Sequence, residues 1–469
     1  MEEIYNSIIR IVSNNQDYDY LNPKNIVIEE QSIGTGFFIT KQHIITCAHV
    51  INMASTIYFT IPSISNVKYK AKITGICQNL DLALLESEDY ISNKMLCMYN
   101  SDEITIQDPI KVIGFSLGRD KLKITKGIIS GIQDGNIQID SAINSGNSGG
   151  PLLNSNNKVI GIISSKVINA DGVGYAIPIN LVSIFKNINK KKIVYNSCNF
   201  LAKFSNTSDN RIEMINELNQ INNIKSGLTI ALMSDKSPLK KIGIDIGDLL
   251  IEFDLKPINN FGEIQLANKT LTLRLYEYIE RLSPGEQYMI KYYSFKQNNI
   301  ISDKIIFPLN DEMGINKIIP MFNKLNYIVL GGLILTPLTL NIIQYPSNIS
   351  IKLRKYASYI ERFTPRVIVA NITPSSPFKL SENIQSGDVI TNINDQNVNT
   401  LDQIIELLYN LKSENKYLTI KTMNNKLDTI SIKMIQDDIN LIKNNHNNDK
   451  NNQIQLINHG LITEMSKAN

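Results

Sequence analysis

Cysteine is scarce in this 469-residue chain, which has only Cys47, Cys77, Cys97 and Cys198. They show neither the spacing of a metal site nor the density of a secreted disulfide framework, so they are expected to be free thiols in a reducing compartment. Charge of one sign is lacking too: the net value of +3 is too small to imply a nucleic acid or an anionic membrane as partner. No long apolar run is present. The most apolar stretch, 327–338, is about half of the roughly 20 residues a membrane-spanning helix needs, and Gly331, Gly332 and Pro337 interrupt it. The opening MEEIYNSIIRIVSNN has two glutamates and no uninterrupted apolar core, so it does not read as a secretory signal. These absences give the expectation of an intracellular protein, cytoplasmic or nuclear. A Gly-x-x-x-x-Gly-Lys loop is also missing, so no ATP-driven step is expected, and no cofactor or metal.

What is present is ordinary globular sequence, 43% hydrophobic and 19% charged. From Ile33 to about Ile193, short β-branched runs alternate with Gly, Asn and Asp turns, the pattern of an all-β barrel or sandwich. A basic run from Lys186 to Lys192 closes this block as a solvated helix end or linker; a nuclear-localisation reading of it is weaker. Beyond it the chain repeats itself. Ser237-Pro238-Leu239 followed by Gly247-Asp248 is echoed by Ser376-Pro377-Phe378 followed by Gly387-Asp388. Each Gly-Asp precedes an apolar strand, a turn and an amphipathic helix, expected over Leu275 to Leu282 and Leu401 to Leu411. Two copies of one α+β module are implied. After Asp438 the chain turns Asn- and Lys-rich, with too few apolar residues to offset the entropy of ordering.

The run Gly146-Asn147-Ser148-Gly149-Gly150-Pro151 draws the chemistry together. A serine hydroxyl is a poor nucleophile and needs an imidazole base, a carboxylate that orients the base, and donors for an oxyanion. The glycines let the backbone turn tightly and aim the amides of Gly146 and Ser148 at one point. Of four histidines, His446 and His459 lie in the tail. His43 starts an apolar run and reads as an exposed strand-start residue, whereas His49 follows the end of that run and is the better base. Asp81 opens the apolar strand DLALL; alone, it reads as a turn acid.

The order of His49 in TCAHV, Asp81 in DLALL and Ser148 in GNSGGP is that of chymotrypsin-type enzymes. With GTGFFIT, KITKGIISGI and GYAIPIN in their places, the sequence resembles the HtrA (Deg) family of serine proteases over most of its length. The segment LNYIVLGGLILTPLT looks most like the plant-type Deg branch. The resemblance implies an all-β double-barrel, trypsin-like protease domain over 1–195, followed by two α+β PDZ-like domains over 196–312 and 313–438. A disordered tail over 439–469 completes the expected division. The resemblance also implies a His49, Asp81, Ser148 triad with its oxyanion hole at Gly146 and Ser148, and a substrate pocket bounded by Ala142, Ile143, Ile163, Val173 and Tyr175. That pocket offers no carboxylate to Lys or Arg and favours cleavage after small or medium aliphatic residues. A PDZ domain receives a terminal carboxylate on glycine-rich amides; Gly331 and Gly332 suit this, while Phe200 to Phe204 lack glycine. The chain departs from secreted trypsins in having Val50 after the histidine. It departs from many HtrA sequences in having Asn144-Ser145 where they have Asn-Pro.

The expected activity is ATP-independent hydrolysis of unfolded or misfolded proteins by a homo-oligomer, a trimer or multiple of trimers by resemblance. Two alternatives stay open: a PDZ scaffold or chaperone with an idle protease fold, and a viral or parasite protease with one narrow target.

Overall fold

The β-branched runs at the start of the chain close into two six-stranded barrels. The first contains β1 (Ile8–Gln16), β2 (Glu29–Phe38), β3 (His43–Cys47), β4 (Ala54–Ile61), β5 (Ser65–Cys77) and β6 (Leu82–Ser87), in the order β1-β2-β3-β6-β5-β4. The second contains β7 (Pro109–Gly114), β8 (Lys123–Gln133), β9 (Asn136–Ile139), β10 (Pro151–Leu153), β11 (Val159–Lys166) and β12 (Gly174–Pro178), in the order β10-β11-β12-β9-β8-β7. Closure leaves no unpaired strand edge, which resolves the choice between barrel and sandwich. This computed structural model describes residues 2–23, 25, 29–166, 173–186, 193–219, 224–266, 272–308, 314–320, 322–358, 360–411 and 415–440.

The sequence repeat forms two sheets of shared design. In the first module the order is β13 (Ala202–Asn206), β14 (Leu228–Met233), β15 (Leu249–Phe253), β19 (Gln287–Ser294), β20 (Asn299–Ile306). Here β16 (Lys256–Pro257) pairs with β15, while β17 (Glu263–Gln265) and β18 (Thr272–Arg274) form a separate ladder. In the second module the order is β21 (Ile328–Leu330), β22 (Leu333–Pro337), β23 (Val367–Ile372), β24 (Val389–Ile393), β26 (Tyr417–Thr422), β27 (Leu427–Ser431), with β25 (Gln396–Asn397) on β24.

The repeated residues have matching jobs. Ser237 caps a helical turn by accepting from Leu239 N and donates its hydroxyl to Phe200 O at 2.6 Å. Ser376 caps its turn through Phe378 N and donates to Gly331 O at 2.5 Å. The aspartates of the Gly-Asp pairs close the turns before their strands, Asp248 accepting from Asp245 N and Asp388 from Gln385 N. The helices are shorter than their patterns suggested, Leu275–Ile279 and Leu401–Tyr409.

The chain divides into two compact units, residues 1–15 with 30–311, and residues 16–29 with 312–469. The expected boundary at 195 is therefore not a break in packing. One hydrophobic cluster runs from Ile137, Ile139 and Ile160 of the second barrel into Phe200, Phe253 and Tyr292 of the first module. Arg281, almost wholly buried, pairs with Asp102 in the same unit. Residues 16–29, assigned to the protease domain from sequence, instead belong with the second module. Tyr20 is buried beside Ile342, Leu353 and Ile368, and its hydroxyl accepts from Asn341 Nδ2 at 2.8 Å. The tail expected from 439 starts with two helical residues, Ile439 being 1% exposed. Residues 441–469 and most of the basic run, 187–192, lie outside the described residues.

Candidate active site

Each barrel contributes one side of the site. Strand β3 ends at Cys47, and a single helical turn, Ala48–Ile51, carries His49 outward so that its side chain is about half exposed. Asp81 precedes β6 with a left-handed φ of 53°, a conformation that aspartate tolerates better than most residues. Its Oδ1 accepts from the His49 backbone amide at 2.9 Å, and its Oδ2 lies 2.8 Å from His49 Nδ1. Burial alone would raise the Asp81 carboxyl; hydrogen bonds from His49 and Ser164, with the His49 charge, outweigh it and hold the group below the usual carboxylate value. His43, at the other end of β3, instead meets Thr40 Oγ1 at 2.9 Å.

Ser148 stands in the loop before β10. Gly146 has a φ of +92°, and a Cβ there would collide with the Phe115 carbonyl oxygen; glycine is required. The amides of Gly146 and Ser148 donate to no acceptor among the described residues, which leaves two donors for an incoming oxygen. The Ser148 hydroxyl donates to Ser164 O at 2.9 Å rather than to His49.

Three neighbours of the site were not assigned from sequence. The Ser164 hydroxyl donates to Asp81 Oδ2 at 2.7 Å, a hydrogen bond to a charged group worth about 1.5–3 kcal/mol. Cys47 is fully buried, and its Sγ donates to Ile163 O at 3.2 Å; burial first, and then the Asp81 charge, push its thiol well above the ordinary value. Arg10, from β1, holds Gly118 O with Nε at 3.1 Å and Nη2 at 2.8 Å. The adjoining Leu117 amide donates to Ser145 O at 2.6 Å. The loop before Ser148 is thus braced from the first barrel, although it lacks the Asn-Pro of many HtrA sequences.

The expected pocket and PDZ residues fare differently. Ala142 is exposed, and Val173 and Tyr175 are half-buried. Ile163 has 0% exposure and belongs to the barrel core, so its side chain does not line an open pocket. Ile143 is also in that core, pressed so closely on Gly174 that a Cβ there would collide with it. Gly331 and Gly332, with φ of 58° and 82°, make the two-residue turn of a β21–β22 hairpin. The Gly331 amide is already used by Asp438 Oδ2 at 2.8 Å, and β21 covers the edge of β22 that a peptide would join.

Residues 34–162 match the trypsin-like peptidase domain family, and residues 348–434 match the PDZ domain family. A putative mitochondrial protease Do-like 3 of Arabidopsis thaliana is 26% identical over 354 residues, 71% of this chain and 60% of that protein. A probable periplasmic DegP-like serine endoprotease of Rickettsia conorii is 27% identical over 425 residues, 85% of this chain and 78% of that one. The chain thus spans about three fifths of the length of its plant relatives. Among solved structures, the HtrA-type protease AlgW with a tripeptide superposes with a TM-score of 0.50 at 21% identity, over 66% of this chain and 95% of that one.

These relatives are mitochondrial or periplasmic by name, which overturns the expected cytoplasmic or nuclear location. The cysteines misled because Cys47 and Cys77 are buried thiols that form no disulfide; where no second cysteine stands within bridging distance, a thiol stays reduced whatever the compartment. No helix among the described residues is long and apolar enough to cross a membrane.

Proposed function

We propose that this chain, a trypsin-like peptidase joined to PDZ-type modules and related to the Do-like and DegP proteases, is a serine endopeptidase acting through Ser148, His49 and Asp81. The observation that carries the reading is the bridge made by Ser164, which accepts from the Ser148 hydroxyl and donates to Asp81, the partner of His49, beside two unengaged amides. Rotation about its Cα–Cβ bond takes the Ser148 hydroxyl from Ser164 O to the free imidazole nitrogen. His49 then removes the proton as Ser148 Oγ attacks the scissile carbonyl, and the Gly146 and Ser148 amides hold the oxyanion. His49 returns the proton to the leaving amine. Water repeats the sequence on the acyl-enzyme, with Asp81 holding the imidazole in register and Ser164 steadying Asp81.

Substrates are unfolded or misfolded polypeptides, cut without ATP. With Ala142 where a carboxylate would be needed, the site offers no counter-charge to Lys or Arg, which favours cleavage after small or medium aliphatic side chains. By likeness to its relatives the working form is a homo-oligomer, a trimer or multiple of trimers. Casein hydrolysis tests the central claim: Ser148→Ala should cost about 10⁴- to 10⁶-fold in kcat, and a fluorophosphonate should label the wild-type chain at Ser148 alone. A folded wild-type chain that neither cleaves casein nor takes the label would favour the idle scaffold.

A further inference from the structure

Cys47 has no part in peptide hydrolysis, yet it sits against the two residues that hold the base. Its Sγ, a ring nitrogen of His49 and a carboxylate oxygen of Asp81 all lie within 4.8 Å of one another, the one such grouping of His, Cys, Asp and Glu among the described residues. Thiolate, imidazole and carboxylate are the donors zinc takes, at about 2.3, 2.0–2.1 and 2.0–2.2 Å. Ligand atoms around such an ion stand roughly 3.2–3.8 Å apart. The His49–Asp81 pair is already near that spacing at 2.8 Å, and the sulfur has to close by no more than about 1 Å. The His49 side chain is 49% and that of Asp81 29% exposed, so an ion can approach from solvent and keep water as a fourth ligand. The buried sulfur selects a thiophilic cation over magnesium or calcium.

We propose that Cys47, His49 and Asp81 form a site for zinc or another thiophilic divalent cation, and that filling it switches the peptidase off. Binding releases one proton, from the Cys47 thiol, while the His49 proton passes from Nδ1 to Nε2 and the Asp81 carboxylate joins as it stands; nothing is oxidised or reduced. An imidazole bound to the ion through Nδ1 is fixed in place and carries its proton on Nε2, so no lone pair is left to take the Ser148 proton. Inhibition rests on the peptidase reading; the site does not.

Two measurements on the full chain separate them. Cobalt(II) added alone should give a thiolate-to-cobalt charge-transfer band saturating at one equivalent, present in wild type and in Cys97→Ser but lost in Cys47→Ala and Cys47→Ser. Zinc should inhibit casein hydrolysis reversibly, with activity restored by a chelator. With each variant normalised to its own metal-free rate, Cys47→Ala should raise the inhibitory concentration by at least about 10- to 100-fold. Absence of the band, its persistence in both Cys47 variants, or its loss in Cys97→Ser would overturn the site. A wild-type chain that shows the band but cleaves nothing would keep the site and sink the peptidase reading.

Discussion

The two modules share one blueprint and have spent it differently. In the first, β13 is the terminal strand of its sheet, so among the described residues one edge is unpaired. The turn that would receive a peptide carboxylate is Phe200-Leu201, and its Leu201 amide donates to Asn199 Oδ1 at 2.7 Å. In the second module the turn has two glycines, but β21 has joined the corresponding edge and Asp438 has taken the Gly331 amide. The copy with the open edge lacks the glycines, and in the copy with the glycines the edge is filled by β21. A PDZ-type fold is therefore no warrant for peptide capture: the edge and the turn must be free in the same copy.

Packing divides them further. The first module shares a hydrophobic cluster with the second barrel, whereas the second has a core of its own around Leu330, Val369, Ile404 and Leu408. The largest expected effect probes this difference. Phe253→Ala removes a fully buried ring packed edge-on to Phe200 and Tyr278, at a cost of about 3–5 kcal/mol. Calorimetry should show the barrel transition moving down with that of the module. Leu408→Ala in the second module, costing about 2–5 kcal/mol, should leave the barrel transition in place. Equal shifts of the barrel by both variants would erase the contrast.

A smaller effect is set by Glu280, at the end of the helix Leu275–Ile279. Burial, and then the charge of Glu277, push its carboxyl up to about 7. The neutral acid is the form the fold accommodates, so its contribution is complete below the unfolded value of about 4.3 and is lost as pH rises through 7. Glu280→Gln should stabilise the first unit at pH 8 by about 2–3 kcal/mol relative to wild type and change little at pH 4. Urea titrations at the two pH values read this directly; a gain as large at pH 4 would remove ionisation as its cause.

The smallest effect belongs to the second module. Asp438→Asn weakens a charged acceptor on Gly331 by about 1–2 kcal/mol, and hydrogen exchange should quicken at Gly331 and across 432–440. A peptide with a free C-terminus should still not dock on β22 while β21 stays paired. Tight binding of such a peptide to the wild-type chain, mapped to 328–337, would break the comparison between the copies.

What the sequence disclosed follows from how far apart the interacting residues are. Ser148 is legible because nucleophile and oxyanion donors lie within three consecutive positions, and the module repeat because each Ser-Pro and Gly-Asp closes its own local turn. The service of Ser164 to Asp81 spans 83 residues, and that of Asp438 to Gly331 spans 107. No periodicity encodes either one. Ile163 was misread for a related reason: alternation along β11 tells that a side chain is apolar, and only closure of the barrel decides whether it faces core or cleft. Asp81 lay between these cases, a turn acid by its neighbours and a partner of His49 only in three dimensions.

The excursion of residues 16–29 sets a timetable for synthesis. Tyr18, Tyr20 and Leu21 leave the ribosome long before the cradle they fill, with Asn341 lying 321 residues downstream of Tyr20. At about 5–20 residues per second this leaves an aromatic strap waiting on the order of 15–60 s for its seat. Over that interval both barrels emerge, so the strands on either side of the strap have to close the first barrel around a loop that is still undocked. A nascent chain halted before the second module would leave Tyr18, Tyr20 and Leu21 without the apolar seat that Ile342, Leu353 and Ile368 provide.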